Sequence, residues 1–188
     1  MPLPALAPDE VIIGVVVTVP VPHAGVLAAT RLASGDPDAA TIAPHVTLVG
    51  PAVVARDALP EVDAHLAAVA AAHGPFVVHL RGTGTFRPVS PVVFVALARG
   101  ISDCEQLERA VRTGPLDGPS RYPYHPHVTV AQEVDEDTLD TVEKQLADFD
   151  GTFVVTALDR YVNDEDGMWR PVRSFPLTGR AEHTGMRP

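Results

Sequence analysis

Two periods alternate along the chain. The run Val11-Ile-Ile-Gly-Val-Val-Val-Thr-Val19 is β-branched and unbroken, and it is bounded by Pro20 and Pro22, so it reads as a buried strand. A helix is predicted over 23–33, stopped by Ser34-Gly35-Asp36-Pro37. A second strand over 44–50 should close at Gly50-Pro51, and Asp57 should cap a helix that carries Pro60 in its first turn. Leu59, Val62, Leu66 and Val69 lie along one stripe of that helix, which Gly74-Pro75 breaks. Next come a strand at 76–80, a turn through Gly82 and Gly84, and a strand at 92–97. Ser102-Asp103-Cys104-Glu105 has the form of a capping box and predicts a helix to about Arg112. After the Gly/Pro-rich loop 113–123 the pattern predicts a strand at His127, a helix over 135–149, a strand over 153–158 and a last strand over 168–177. The polar tail 179–188 is expected to be disordered.

One tetrapeptide occurs twice, as Pro44-His45-Val46-Thr47 and Pro126-His127-Val128-Thr129. In a strand, His45 and Thr47 point to one face while Val46 and Leu48 point to the other, and the second copy does the same. The copies are offset by 82 residues; the helical stripe recurs as Leu139, Val142, Leu146 and Phe149 at an offset of 80; Phe76-Val77-Val78 recurs as Phe153-Val154-Val155 at 77. Slowly shrinking offsets point to a duplicated unit of strand, helix, His-x-Thr strand, helix and strand. The repeats at about 11–80 and 92–158, completed by the strand at 168–177, should form a single domain over 1–178. A pseudo-twofold axis between them would set the two His-x-Thr faces across a central groove.

Composition narrows the partners. At 188 residues and 46% hydrophobic content the chain can bury a core. A formal charge of −10 argues against wrapping a long nucleic acid, and leaves room for a small phosphorylated ligand or an RNA end if positive charge is gathered locally. Cys104, the single cysteine, forms no internal disulfide and suits a reducing cytoplasm; it is expected on the apolar side of a helix. The apolar run at 11–19 is too short for a bilayer, and residues 1–10 lack the positive charge of a signal peptide, so a soluble cytoplasmic protein is expected.

The paired motifs and their surroundings resemble the signature of the 2H phosphoesterase superfamily, named for two His-x-Thr/Ser motifs. Its members include 2'-5' RNA ligase-like proteins and cyclic phosphodiesterases. The resemblance runs from about Val11 to Leu177 and takes in Gly84-Thr85-Phe86 and Gly167-Met168-Trp169. It implies a bilobal α+β fold, with two antiparallel-rich sheets flanking the groove and helices on the outer faces. It also implies opening of a 2',3'-cyclic phosphate to a 2'-phosphate, with 2'-5' ligation as the reverse.

The residues suit that chemistry. Imidazoles titrating near 6.5 let His45 and His127 serve jointly as base and acid, and Thr47 and Thr129 are suited to the equatorial phosphoryl oxygens. No metal or cofactor is required, and a bell-shaped pH profile with both limbs near neutral is expected. For substrate binding, Arg121 could supply local positive charge. Tyr124 occupies the aromatic place that often precedes Pro-His in the family, suited to stacking on a base or to packing under the groove. Phe86 is either core or a base platform, and His125 is a rim residue. Where some members carry a basic residue after the second motif, this chain has Ala131-Gln132-Glu133, which weakens the case for a long RNA. The expected partner is a small cyclic-phosphate nucleotide or RNA terminus bound by a monomer, with no membrane involved. Two other readings remain open: a non-catalytic nucleotide-binding module of the same fold, and a metal hydrolase using His45, His125 and His127.

Overall fold

The computed structural model describes residues 6–120, 122–163 and 166–180. Strand β1 (Glu10–Thr18) is buried almost end to end, as an unbroken β-branched run requires, and takes an interior position in its sheet. After α1 (His23–Ala33), β2 (His45–Ala55) returns antiparallel to β1 and forms the sheet edge. Helix α2 (Leu59–Ala72) leads to β3 (Phe76–Thr85), and β4 (Val92–Arg99), α3 (Ile101–Val111) and β5 (His127–Gln132) repeat the strand–helix–motif-strand order. Helix α4 (Glu136–Gln145), β6 (Asp150–Val155), β7 (Ala157–Asn163) and β8 (Trp169–Pro176) complete the chain. One sheet has the order β2-β1-β7-β8 and the other β5-β4-β3-β6, both antiparallel throughout. The fold is therefore α+β, as expected.

Both motif strands are edge strands, and they touch each other. The helix of each half crosses over: α1 lies against β5 and α3 against β2. Buried residues of the two sheets merge into one contiguous cluster that includes Val15, Val46 and Leu66 as well as Val95, Val128 and Leu139. That shared core underlies both motif strands, with Val46 and Val128 buried in it.

Several local expectations give way to tertiary context. Strand β2 does not close at Gly50-Pro51; it continues to Ala55, because an edge strand has a side on which proline's missing N–H is not needed. Asp57 lies in a 3₁₀ turn, Arg56–Ala58, and α2 begins at Leu59 with Pro60 in its first turn and no side-chain cap. Gly82 and Gly84 do not turn the chain. Gly82, at φ 65°, absorbs a bulge between Leu80 and Thr83 while β3 keeps its pairing. Helix α3 starts one residue before Ser102, after Gly100 at φ 88°, where a Cβ would lie 2.8 Å from the Val77 carbonyl oxygen. Helix α4 ends at Gln145, short of the expected Phe149, and Asp135 caps it by accepting from the Thr138 N–H at 2.9 Å.

The expected strand at 153–158 is two strands, β6 and β7, which part at Thr156 and enter different sheets. Phe76-Val77-Val78 and Phe153-Val154-Val155, matched above as repeat equivalents, are partners across one ladder, with Phe76 opposite Val155 and Val78 opposite Phe153. By sheet position the counterpart of β3 is β7, each lying beside the first strand of a motif pair. Valine-rich triplets fit any half-buried strand, so they fix no correspondence. At the other end, the N–H groups of Thr178 and Gly179 donate to the carbonyls of Ala70 and His73 at 3.2 and 3.0 Å, capping α2. The rest of the expected tail, 181–188, lies outside the described residues.

Candidate active site

Alternation along β2 buries Val46 and Leu48 and leaves His45 and Thr47 partly exposed; along β5 it buries Val128 and Val130 and leaves His127 and Thr129 partly exposed. Each histidine makes the same local contact. His45 Nδ1 lies 2.7 Å from the carbonyl of Ala43, and His127 Nδ1 lies 2.7 Å from the carbonyl of His125. A carbonyl oxygen only accepts, so Nδ1 carries the hydrogen in both rings, and Nε2 is the nitrogen that gains or loses a proton. The i−2 carbonyl thus fixes tautomer and ring orientation identically in the two motifs.

Electrostatics separates them. Burial pushes the His45 imidazole down to about 4 against the pull of the Ala43 carbonyl, and the charges of Arg31 and His127 add to the depression. His127 is also lowered by burial, countered by the His125 carbonyl. The cation beside His45 was not anticipated. Arg31, on α1 and 5% exposed, donates from Nε and Nη2 to Asp36 at 2.7 and 3.3 Å. Between Thr30 and Leu32 in a helix of weak periodicity it carries no signal of burial, which comes with the packing of α1 against β5.

His45, Thr47 and Thr129 line one open cleft with Arg31, Asp38 and Gln132. His127 shares the face of β5 that carries Thr129. Gln132 donates its amide to Asp38 at 2.7 Å, tying the segment after α1 to the second motif strand. On its other side the cleft meets Gly14, Val16, Tyr161 and Trp169. None of these was singled out as a site residue from sequence, although Trp169 is the chain's only tryptophan.

The proposed binding residues fare differently. Tyr124 reaches between the motifs: its hydroxyl donates to the Thr47 carbonyl at 3.0 Å while its ring packs on the core, and burial raises its pKa. It braces β2 from the segment that leads into β5. Phe86 packs tilted against Phe94, with ring centroids 4.4 Å apart, and meets the His127 ring edge-on at 4.9 Å. Gly84 makes room for this, since a Cβ there would come within 2.8 Å of the Phe94 ring. Arg121 lies outside the described residues. His125 is exposed, with its ring stacked 6.2 Å from that of His127. Among the described residues no three His, Cys, Asp or Glu side chains gather as a metal site, so the three-histidine arrangement lacks a common centre.

Among the described residues no helix is long and apolar enough to cross a membrane. Comparison with known proteins places this architecture. The chain is 28% identical over 146 residues to a Staphylococcus haemolyticus protein named "Putative phosphoesterase", covering 76% of this chain and 85% of that one. A Bacillus licheniformis protein of the same description is 28% identical over 144 residues, with the same coverage. Among solved structures, E. coli LigT complexed with NADP+ superposes with a TM-score of 0.64 at 15% identity, covering 90% of this chain and 99% of LigT. LigT has also been solved with phosphate, 3'-AMP and ATP. The profile of the 2'-5' RNA ligase superfamily matches residues 19–167. With the fold shared and that profile spanning well over half its length, the chain belongs to the 2'-5' RNA ligase superfamily of 2H phosphoesterases.

Proposed function

We propose that the protein is a phosphodiesterase that opens a 2',3'-cyclic phosphate, on a small nucleotide or an RNA end, to a 2'-phosphate. The observation that carries this reading is the matched pair of imidazoles, each held through Nδ1 by the carbonyl two residues earlier, with threonines of both motifs in one cleft. Water attacks phosphorus in line; one Nε2 removes its proton as the P–O bond forms. The P–O3' bond breaks, and the other Nε2–H protonates O3' as it leaves. Thr47 and Thr129 donate to the equatorial oxygens as their charge grows. With a 5'-hydroxyl in place of water as nucleophile, the same steps, in which the P–O3' bond breaks and O3' is protonated, make a 2'-5' linkage. The nucleotides crystallised with LigT support a nucleotide ligand here.

The two histidines divide the labour. Burial, with the charge of Arg31 adding to it, keeps the more strongly depressed His45 neutral and fit to accept a proton, so His45 is the base of hydrolysis and His127 the acid. A bound phosphate anion raises both imidazoles, and this restores the protonated form that the acid needs.

The test is hydrolysis of nucleoside 2',3'-cyclic phosphates with EDTA present, comparing the wild type with H45A and H127A. Turnover to the 2'-phosphate is expected, reduced roughly 10²–10⁴-fold in each variant. A p-nitrophenyl phosphodiester, whose leaving group needs no proton, should partly rescue H127A and not H45A; the opposite pattern would exchange the two roles. Saturable nucleotide binding with no turnover of any cyclic phosphate would instead favour a non-catalytic binding module, and turnover abolished by EDTA would point to a metal.

A further inference from the structure

The two halves of the cleft are built on one plan and filled differently. On β4, Phe94 sits opposite Thr129, and its ring packs tilted against Phe86 and crowds the His127 side. On β1 the matching place opposite Thr47 is held by Val16, and Gly14 lies two residues before it on the same face. Small residues thus leave a hollow on the His45 side where the other half has a phenylalanine pair.

Trp169 walls this hollow. Its backbone N–H donates to the Thr41 carbonyl at 2.9 Å, which anchors the start of β8 to the cleft rim. Its ring lies across Gly14, close enough that a Cβ there would stand 3.2 Å from the ring edge. The side chain is only partly buried, and together with Tyr161 and Val16 it gives the cleft an apolar, aromatic side next to the threonines. A phosphoryl group needs donors and positive charge; it gains nothing from a broad apolar wall. A flat heterocycle attached to the phosphate through a sugar does, because stacking on an indole needs no particular hydrogen-bond pattern.

We propose that Trp169, seated over Gly14, forms the subsite for the aromatic base of the substrate and selects nucleoside phosphates over ring-free phosphates. The subsite rests on reading the cleft as a phosphodiester site, and it assigns the base to the His45 side. Phe86 then serves to support His127.

As the only tryptophan, Trp169 reports its own occupancy. The full chain is titrated with 2'-AMP, ribose 5-phosphate and inorganic phosphate while its fluorescence is followed. Saturable quenching by 2'-AMP is expected, with ring-free phosphates binding at least tenfold more weakly and leaving the emission unchanged. By calorimetry, W169A should weaken 2'-AMP binding about tenfold, or ~1.4 kcal/mol. W169F, which keeps a ring over Gly14, should stay within about threefold, and both variants should bind inorganic phosphate within about twofold of wild type. Equal affinity for 2'-AMP and ribose 5-phosphate, a loss seen in F86A rather than W169A, or no binding of 2'-AMP at all would each overturn the subsite. Hydrolysis of a 2',3'-cyclic nucleotide by the wild type is assayed in parallel. Quenching without turnover sinks the enzymatic reading alone, and turnover without discrimination between ringed and ring-free ligands sinks the subsite alone.

Discussion

His45 is neutral in the folded protein over a range where the unfolded chain would carry its charge, because burial and the nearby Arg31 push the ring from 6.5 down to about 4. Between those values the unfolded state binds the extra proton, so this residue's contribution to stability is complete above about pH 6.5 and is lost as pH falls towards 4. Thermal melts between pH 7 and 4.5 should show an acid-side loss that is smaller in H45Q; an identical pH dependence in the variant would remove His45 as the cause. For the proposed reaction the same depression has a second consequence. Rather than two limbs near neutral, kcat/KM, which reports the free enzyme, should peak below pH 6.5, while kcat, which reports the anionic complex, should peak at higher pH. Coincident profiles would contradict it. At Gly84 the restriction is steric: G84A drives a Cβ into the Phe94 ring, which is already held by Phe86, and should cost roughly 1–3 kcal/mol and lower kcat by displacing the support of His127. Denaturation and kinetics on the same sample check both parts.

Elements are held in place by a few long-range polar contacts over the shared core. Tyr124 links the approach to β5 with β2 through the Thr47 carbonyl, so Y124F should lose about 1 kcal/mol of stability and some kcat, since the motif it steadies is no longer braced. On the outer side, α2 is fastened to β7 and β8 by Asp63. Its carboxylate accepts from Arg160 at 2.6 and 3.2 Å and from Arg173 at 2.9 Å. Arg160 is 4% exposed, so D63A strands a buried cation and should destabilise by roughly 3–5 kcal/mol. Because this network lies on the side of sheet β2-β1-β7-β8 that packs under α2, activity per folded molecule should survive. A loss of kcat at temperatures where D63A remains folded would show that the network reaches the cleft.

For the whole molecule, the exchange of strands decides cooperativity. The first repeat contributes β3 to the sheet of β4, and β1 needs β7 from the far end of the chain as its second neighbour. A fragment ending at residue 90 would leave β1 with one flank unpaired and β3 with no sheet to join. It should be unfolded by circular dichroism, while the full chain melts in one transition; a folded fragment would mean that the repeats are independent lobes. The chain's net charge of −10 belongs to this scale as well. Among the described residues the cation lining the cleft is Arg31, itself paired with Asp36, so long RNA should bind weakly even at low salt.

What the sequence by itself determined is the part that local geometry dictates: two strands whose period-2 alternation presents His45 with Thr47 and His127 with Thr129, backed by valines and leucine. The α1 and β1 elements were legible for the same reason, since their signals lie within the segments themselves. What only the tertiary structure decided involves partners far apart in sequence. Strand β2 runs past Pro51 because it lies at an edge, and the two Phe-Val-Val triplets face each other across a ladder instead of marking equivalent places. Arg31 becomes a buried cation because α1 crosses to β5, and Trp169 becomes a cleft wall because β8 pairs beside β7 and sends the Trp169 ring over Gly14 of β1. A motif names groups that can exchange a proton; burial and neighbouring charge set the pH at which they hold it, and both arise only when distant segments pack.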